Sequence, residues 1–142
     1  MRMTPEDIAR LSPAAQHQII AQLAQNANPQ TPARKYGNVP TEVCGIKFDS
    51  RKEAGRFQEL SLELRAGKIT NLRLQPEFTL QEGYTTPAGE RIRAIRYRAD
   101  FSYWRDGTLV IEDVKSDATR RDKTYRLKIR LMAERGFTVT EI

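Results

Sequence analysis

Ser50-Arg51-Lys52-Glu53 opens a segment in which Phe57, Leu60 and Leu64 recur at helical spacing until Gly67 ends it, a pattern that predicts a capped amphipathic helix. Leu72, Leu74, Pro76, Phe78 and Leu80 then alternate with Arg73, Gln75, Glu77 and Thr79. That period of two is a strand's, and Pro76, which lacks a ladder donor, marks an edge or a bulge in it. After a loop holding Gly83, Pro87 and Gly89, alternation resumes from Ile92 to Trp104. Asp106-Gly107 is a two-residue hairpin signal, and Thr108 to Lys115 returns antiparallel. From about Thr119 to Arg135 a basic helix is expected, with Tyr125, Ile129 and Met132 as its buried stripe and Gly136 as its stop, and Phe137 to Ile142 reads as a final strand. The order is helix, three-stranded antiparallel meander, helix, strand, which is an α/β fold.

The first 34 residues differ. Thr4-Pro5-Glu6-Asp7 and Ser12-Pro13 each pair an N-cap with proline at the first helical position, and Ile8, Leu11, Ile19, Ile20 and Leu23 are the apolar positions. Two short helices are expected from this, and polar, proline-containing Asn26 to Lys35 reads as a linker. The expected division is a helical arm with its linker over 1–34 and one domain over 35–142, the arm being an appendage suited to a homodimer interface.

Composition narrows the chemistry. The 142 residues make one domain, and 24 Lys+Arg against 18 Asp+Glu give a net charge of +6. Such an excess suits a polyanion, although a solvated basic surface produces the same number. With one cysteine and one histidine, neither an internal disulfide, nor a zinc site of the Cys/His kind, nor a Ser-His-Asp hydrolase is expected. A metal would rest on carboxylates, which select hard cations such as Mg²⁺ or Mn²⁺. No stretch approaches the ~20 apolar residues of a membrane span and no signal peptide is read, so a cytoplasmic protein is expected.

The hairpin turn sets a register. With Arg105 opposite Thr108, Ser102 faces Ile111, Asp100 faces Asp113 and Arg98 faces Lys115. Asp100, Asp113 and Lys115 then share one face, and Ala99, Phe101, Tyr103, Val110 and Val114 the other. Two opposed carboxylates repel unless a cation lies between them; the ordinary alternative is a solvated pair of ion pairs with Arg98 and Lys115. Glu53 poses the same choice. It is either the capping-box partner of Ser50 or, on the stripe of Phe57, Leu60 and Leu64, a third carboxylate aimed at the sheet.

These residues carry a resemblance. Asp100 followed by Asp113-Val114-Lys115 on the next strand, after a helix bearing Glu53 and before a basic helix, resembles the PD-(D/E)XK nuclease superfamily. A small phage and prophage branch of it is similar in Lys35-Tyr36-Gly37-Asn38, Gly45 to Ala54, Leu74-Gln75-Pro76, Tyr97 to Tyr103 and Glu112 to Lys115, roughly Lys35 to Ile142 in all. Ala99 stands where the superfamily's name has proline, and the second acid is Asp113 rather than Glu. The resemblance implies a restriction-endonuclease-like core in which Asp100, Asp113, the Val114 carbonyl and Glu53 hold Mg²⁺ or Mn²⁺. It makes Lys115 the residue that orients or deprotonates the attacking water, and it implies cleavage that leaves 5′-phosphates. Gln75 is either an accessory polar contact or an ordinary strand residue. Glu112, on the opposite face from Asp113, stays outside the site.

Such a basic run is more often a solvated face, but beside this constellation, and with Arg91, Arg93, Arg96 and Arg98 on the neighbouring strand, phosphate tracking is the better account. Arg96, Arg98, Arg120, Arg121, Lys123 and Lys128 are the expected nucleic-acid contacts. Tyr84 and Trp104 are expected to pack rather than stack on bases, His17 to be structural and Cys44 unreactive. The expected activity is metal-dependent hydrolysis of DNA phosphodiesters, on duplex or branched, Holliday-junction-like DNA in phage recombination or DNA processing. A non-catalytic nucleic-acid-binding or assembly protein on the same scaffold is the alternative, and RNA as substrate stays open.

Overall fold

The computed structural model describes residues 3–25 and 41–142. The expected linker Asn26 to Lys35 and the Lys35-Tyr36-Gly37-Asn38 match lie outside the described residues. Thr4 caps α1 (Pro5–Ala9) in a reciprocal capping box with Asp7, and Ser12 caps α2 (Pro13–Ala24). Then come β1 (Thr41–Val43), β2 (Ile46–Phe48), α3 (Arg51–Arg65), β3 (Thr70–Leu74), β4 (Glu77–Gln81), β5 (Tyr84–Thr85), β6 (Arg91–Ile92), β7 (Ile95–Arg98), β8 (Phe101–Arg105) and β9 (Thr108–Asp113). The chain continues through α4 (Asp117–Arg121) and α5 (Lys123–Glu134) to β10 (Val139–Glu141). The fold is mixed α/β, and no helix of the described residues is long and apolar enough to cross a membrane.

The central sheet runs β10-β9-β8-β3. β8 and β9 pair antiparallel in the register set by the Asp106-Gly107 turn, with Arg105 opposite Thr108 and Ser102 opposite Ile111. Both turn residues have positive φ, as a type I′ loop demands. β10 returns parallel to β9, Glu141 beside Asp113. One side of the sheet carries a core of Ile8, Ile20, Phe48, Phe57, Leu60, Leu72 and Phe101, all essentially without solvent contact. On the other side Leu80, Tyr97, Ala99, Ile111, Tyr125 and Met132 form a second cluster.

Four expectations change. Ile8 and Ile20 are buried with Phe57 and Leu60, so the arm is built into the core and its apolar side is occupied within the chain, which leaves only its polar side for the expected homodimer. The single strand expected over Leu72 to Leu80 breaks at Gln75-Pro76, and the one over Ile92 to Trp104 breaks at Arg93-Ala94 and at Ala99-Asp100. Proline supplies no ladder donor and Gln75 takes a left-handed φ of 49°, so the pair of strands bends there. It stays joined across the bend by Gln75 N–H to Asp100 O (2.9 Å) and Ala99 N–H to Pro76 O (3.1 Å). The basic helix is interrupted at Asp122, whose extended backbone ends α4 and whose carboxylate accepts from Tyr125 N–H (2.8 Å) to start α5. Finally, the β1–β2 hairpin was not expected, although Glu42 to Phe48 alternates around Cys44-Gly45, both at positive φ.

Candidate metal and nucleic-acid site

The β8–β9 ladder ends at Phe101 opposite Glu112, one residue short of Asp100. Asp100 N–H donates to Glu112 O (3.1 Å), so two residues of this strand face one of its neighbour. That extra residue moves Ala99 to the cluster of Ile111, away from the Phe101 face where strict alternation puts it. The expected Arg98 to Lys115 opposition is not formed either, because the ladder with β9 stops at Phe101 and β7 pairs only with β4, Arg98 opposite Glu77. The carboxylates still converge. Asp100 Oδ2 accepts Val114 N–H (2.7 Å), which brings it to the segment that carries Asp113 and Lys115. β10 fixes that segment, with Ile142 N–H on Asp113 O (3.0 Å) and Lys115 N–H on Ile142 O (3.2 Å).

Asp113 has no solvent exposure. The Tyr97 hydroxyl donates to its Oδ2. Its Oδ1 lies 3.2 Å from Lys115 Nζ as an ion pair but accepts no hydrogen bond of good geometry. Lys115 in turn lies over the Tyr125 ring, 5.4 Å from its centroid. Burial, then the hydrogen bond and charge of Asp113, push the Tyr97 hydroxyl's pKa well above the usual tyrosine value, so it remains a donor.

Glu53 stands at the start of α3. Ser50 Oγ accepts Glu53 N–H (3.1 Å), yet the reciprocal half of the capping box, present in α1, is absent here, which leaves the Glu53 carboxylate to the site. Burial and then the charges of Asp49 and Asp113 raise it to about 7, against a smaller opposing effect of Lys115. Asp100 is likewise raised to about 7 by burial and then by Glu53, despite its bond from Val114. The buried carboxylates therefore destabilise one another, and Lys115, ion-paired to Asp113, opposes this in part. Among the described residues no three His, Cys, Asp or Glu side chains form a ready-made cation cage. A hard cation would rest on Asp100, Asp113 and the Val114 carbonyl, with Glu53 reached through water, a donor set that suits an ion retaining several waters. The unbonded, buried Asp113 Oδ1 fits that role.

A cleft of about 570 Å³ opens from Lys115 between β7 and α5, and Arg96, Arg98, Thr119, Tyr125 and Lys128 line it. It gathers three of the expected nucleic-acid contacts, two of which are ion-paired: Arg96 to Glu77 (3.4 Å) and, across from α1, Arg98 to Glu6 (4.0 Å). Arg120 is bound to Glu141 (3.1 Å) and Asp117 (3.8 Å), while Arg121 and Lys123 are exposed away from the cleft lining. Gln75 sits beside Asp100 through its backbone, with its Oε1 buried and unpartnered. Tyr84 and Trp104 are exposed (50% and 41%), not packed as expected. Cys44 forms the β1–β2 turn.

Three residues at the site escape sequence reasoning: Tyr97, Asp49 and Tyr125 in its contact with Lys115. Tyr97 alone had a visible signal, since it lies in the strand leading to Asp100, but the bend and bulge that aim it at Asp113 are tertiary. On the far side of β9, buried Glu112 accepts Tyr103 Oη (2.6 Å) and is held by Arg56 Nε (2.8 Å) and Nη2 (2.5 Å), so it faces away from Asp113 as alternation requires.

No curated protein and no solved structure matches the chain. Residues 33–139, most of the sequence but not α1 and α2, match the family model described as "Protein of unknown function (DUF1064)". The chain thus belongs to the DUF1064 family.

Proposed function

We propose that this protein is a Mg²⁺- or Mn²⁺-dependent endodeoxyribonuclease with a restriction-endonuclease-like core, a member of the PD-(D/E)XK superfamily that its motifs resemble. The observation that carries this reading is Asp113: a buried carboxylate whose Oδ1, ion-paired to Lys115, accepts no hydrogen bond, beside Asp100 and Glu53, with Lys115 lining a cleft that also holds Arg96, Arg98 and Lys128. In support of this reading, α3 precedes a central sheet whose antiparallel strands β3, β8 and β9 are followed by α4, α5 and the parallel strand β10.

When bound, the cation supplies Lewis-acid polarisation of the scissile phosphate and a lowered pKa for the attacking water. The chain's own residues do the rest. Arg98 and Lys128 hold the phosphate backbone in the cleft. Lys115 donates from Nζ to the attacking water and to the phosphate oxygens on which charge builds. Glu53, whose carboxyl pKa is raised in the free protein by burial and the neighbouring acids, would help hold the cation, directly or through water. Tyr97 fixes the rotamer of Asp113. DNA is the proposed partner, duplex or branched, with phage recombination or DNA processing in the cytoplasm as the setting and a homodimer as the form that makes paired cuts.

Supercoiled plasmid and a four-way junction incubated with Mg²⁺, Mn²⁺ or EDTA test this. Wild type should cut only with metal, and Asp113→Ala should be inactive. Cleavage that persists in EDTA or in the variant would refute it. Binding without any cleavage favours a non-catalytic nucleic-acid-binding protein, and cleavage of RNA alone reassigns the substrate.

A further inference from the structure

The two strands that bend at Gln75-Pro76 do not end at the site. Leu74 pairs with Phe101 on one side of the bend and Glu77 with Arg98 on the other, in one continuous register, so β4–β7 prolongs the β3–β8 ladder. β5–β6 extends it to the pairs Tyr84 with Ile92 and Thr85 with Arg91. Phe78 anchors the root against Tyr97 and Phe137, and Arg135 donates to Leu80 O. At the far end Gly83 permits a close crossing, since a Cβ there would lie 3.1 Å from Ile92 O and 3.3 Å from Ala94 N. Beside it lies a concavity of about 550 Å³ whose walls include Tyr84, Arg91, Arg93 and Arg96.

Arg91 and Arg93 are exposed and form no ion pair with a described residue, unlike Arg96, Arg98 and Arg120 nearer the site. Half-exposed Tyr84 stands in the same concavity, with Glu82 as the one acid on its wall. Unpaired guanidinium groups about a flat aromatic ring suit a phosphate backbone.

We propose that this hairpin is a DNA-gripping arm: Arg91, Arg93 and Tyr84 hold the sugar-phosphate backbone of duplex DNA at a distance from the cut, so the site acts on DNA with a duplex flank of minimum length. The part about cutting rests on the endonuclease reading; the DNA contact does not. At about 3.3 Å per strand residue, the nine steps from Asp100 to Arg91 span at most ~30 Å. At about 3.4 Å per base pair that is at most roughly 9 base pairs.

The full chain is tested by anisotropy in EDTA against labelled duplexes of 6 to 24 base pairs and across a salt series, with Arg91→Ala/Arg93→Ala, Arg91→Lys/Arg93→Lys and Tyr84→Ala compared by circular dichroism and melting. Wild-type affinity should climb steeply with length until the duplex spans both cleft and arm, then level off. The double alanine variant should melt as wild type, lose about tenfold or more in affinity for long duplexes, and show a log–log salt slope smaller by about 2; the lysine pair should retain that slope. In Mg²⁺, wild type should cut poorly where fewer than about 9 base pairs flank the scissile bond. Wild-type slope and affinity in the alanine variant would overturn the arm, as would preference for RNA or for an acidic polypeptide over duplex DNA. Length-dependent, arm-dependent binding with no cleavage would instead sink the endonuclease reading and leave the arm standing.

Discussion

Arg56→Met removes the guanidinium that grips Glu112 through Nε (2.8 Å) and Nη2 (2.5 Å). The Glu112 side chain is 3% exposed and the Arg56 side chain 18%, so the variant leaves a buried carboxylate with the Tyr103 hydroxyl (2.6 Å) as its remaining donor. Breaking a buried pair on one side costs about 3–5 kcal/mol, and the partial exposure of Arg56 argues for the lower end, about 3 kcal/mol. In a domain of this size that lowers Tm by roughly 10 °C. Urea melts followed by circular dichroism on wild type, Arg56→Met, Glu112→Gln and the double variant give the coupling, expected at about 1.5 kcal/mol or more. The pair also ties α3 to β9. Glu53 lies one helical turn before Arg56, and Asp113 is next to Glu112. The same variants should therefore weaken Mn²⁺ binding several-fold, read by calorimetry. A coupling below about 0.5 kcal/mol would refute the claim that this buried pair fixes α3 on the sheet.

Two further outcomes rest on the same geometry. In the metal-free protein Glu53 and Asp100 have folded pKa values raised to about 7, so the neutral acids are favoured by folding. Their contribution to stability should be full below about pH 4 and be lost as pH rises through 7, with Mg²⁺ restoring more stability at pH 8 than at pH 5. Glu53→Gln should raise the metal-free Tm at pH 8, leave it nearly unchanged at pH 5, and abolish cleavage; melting curves that rise from pH 5 to pH 8 without metal would contradict this. Ile20→Ala should cost about 2–5 kcal/mol because Ile20 is fully buried in the core of Phe57 and Leu60. A loss under 0.5 kcal/mol in denaturant melts would restore the view of residues 1–34 as a free appendage.

Local chemistry made much of this protein legible in one dimension. Ser50 and Gly67 bracket a helix, and Asp106-Gly107 sets a register that carries through to Phe101 opposite Glu112, because turn geometry and the two-residue strand period are short-range constraints. The same alternation separated Glu112 from Asp113. Where the chain departs from regular pairing, sequence reasoning stopped. Gln75-Pro76 announces an interruption, but only the neighbouring strand makes it a bend and Asp100 an extra residue, which carries Ala99 to the other face and turns the Asp100 carboxylate to Val114 N–H. Asp122 likewise divides one apolar stripe into two helices, since its carboxylate caps α5 more favourably than its backbone continues α4.

By itself, then, the sequence determined the α/β order, the register of the central hairpin and the choice of carboxylates and lysine as the available chemistry. The fold decided that α1 and α2 pack into the core, that Tyr97 serves Asp113, and which cations pair among the described residues, Arg120 with Glu141 but neither Arg91 nor Arg93. Periodicity and turn preference act over a few residues and can be read along a chain. Burial, desolvation and charge pairing depend on which distant segments meet, so they exist only once the chain has folded.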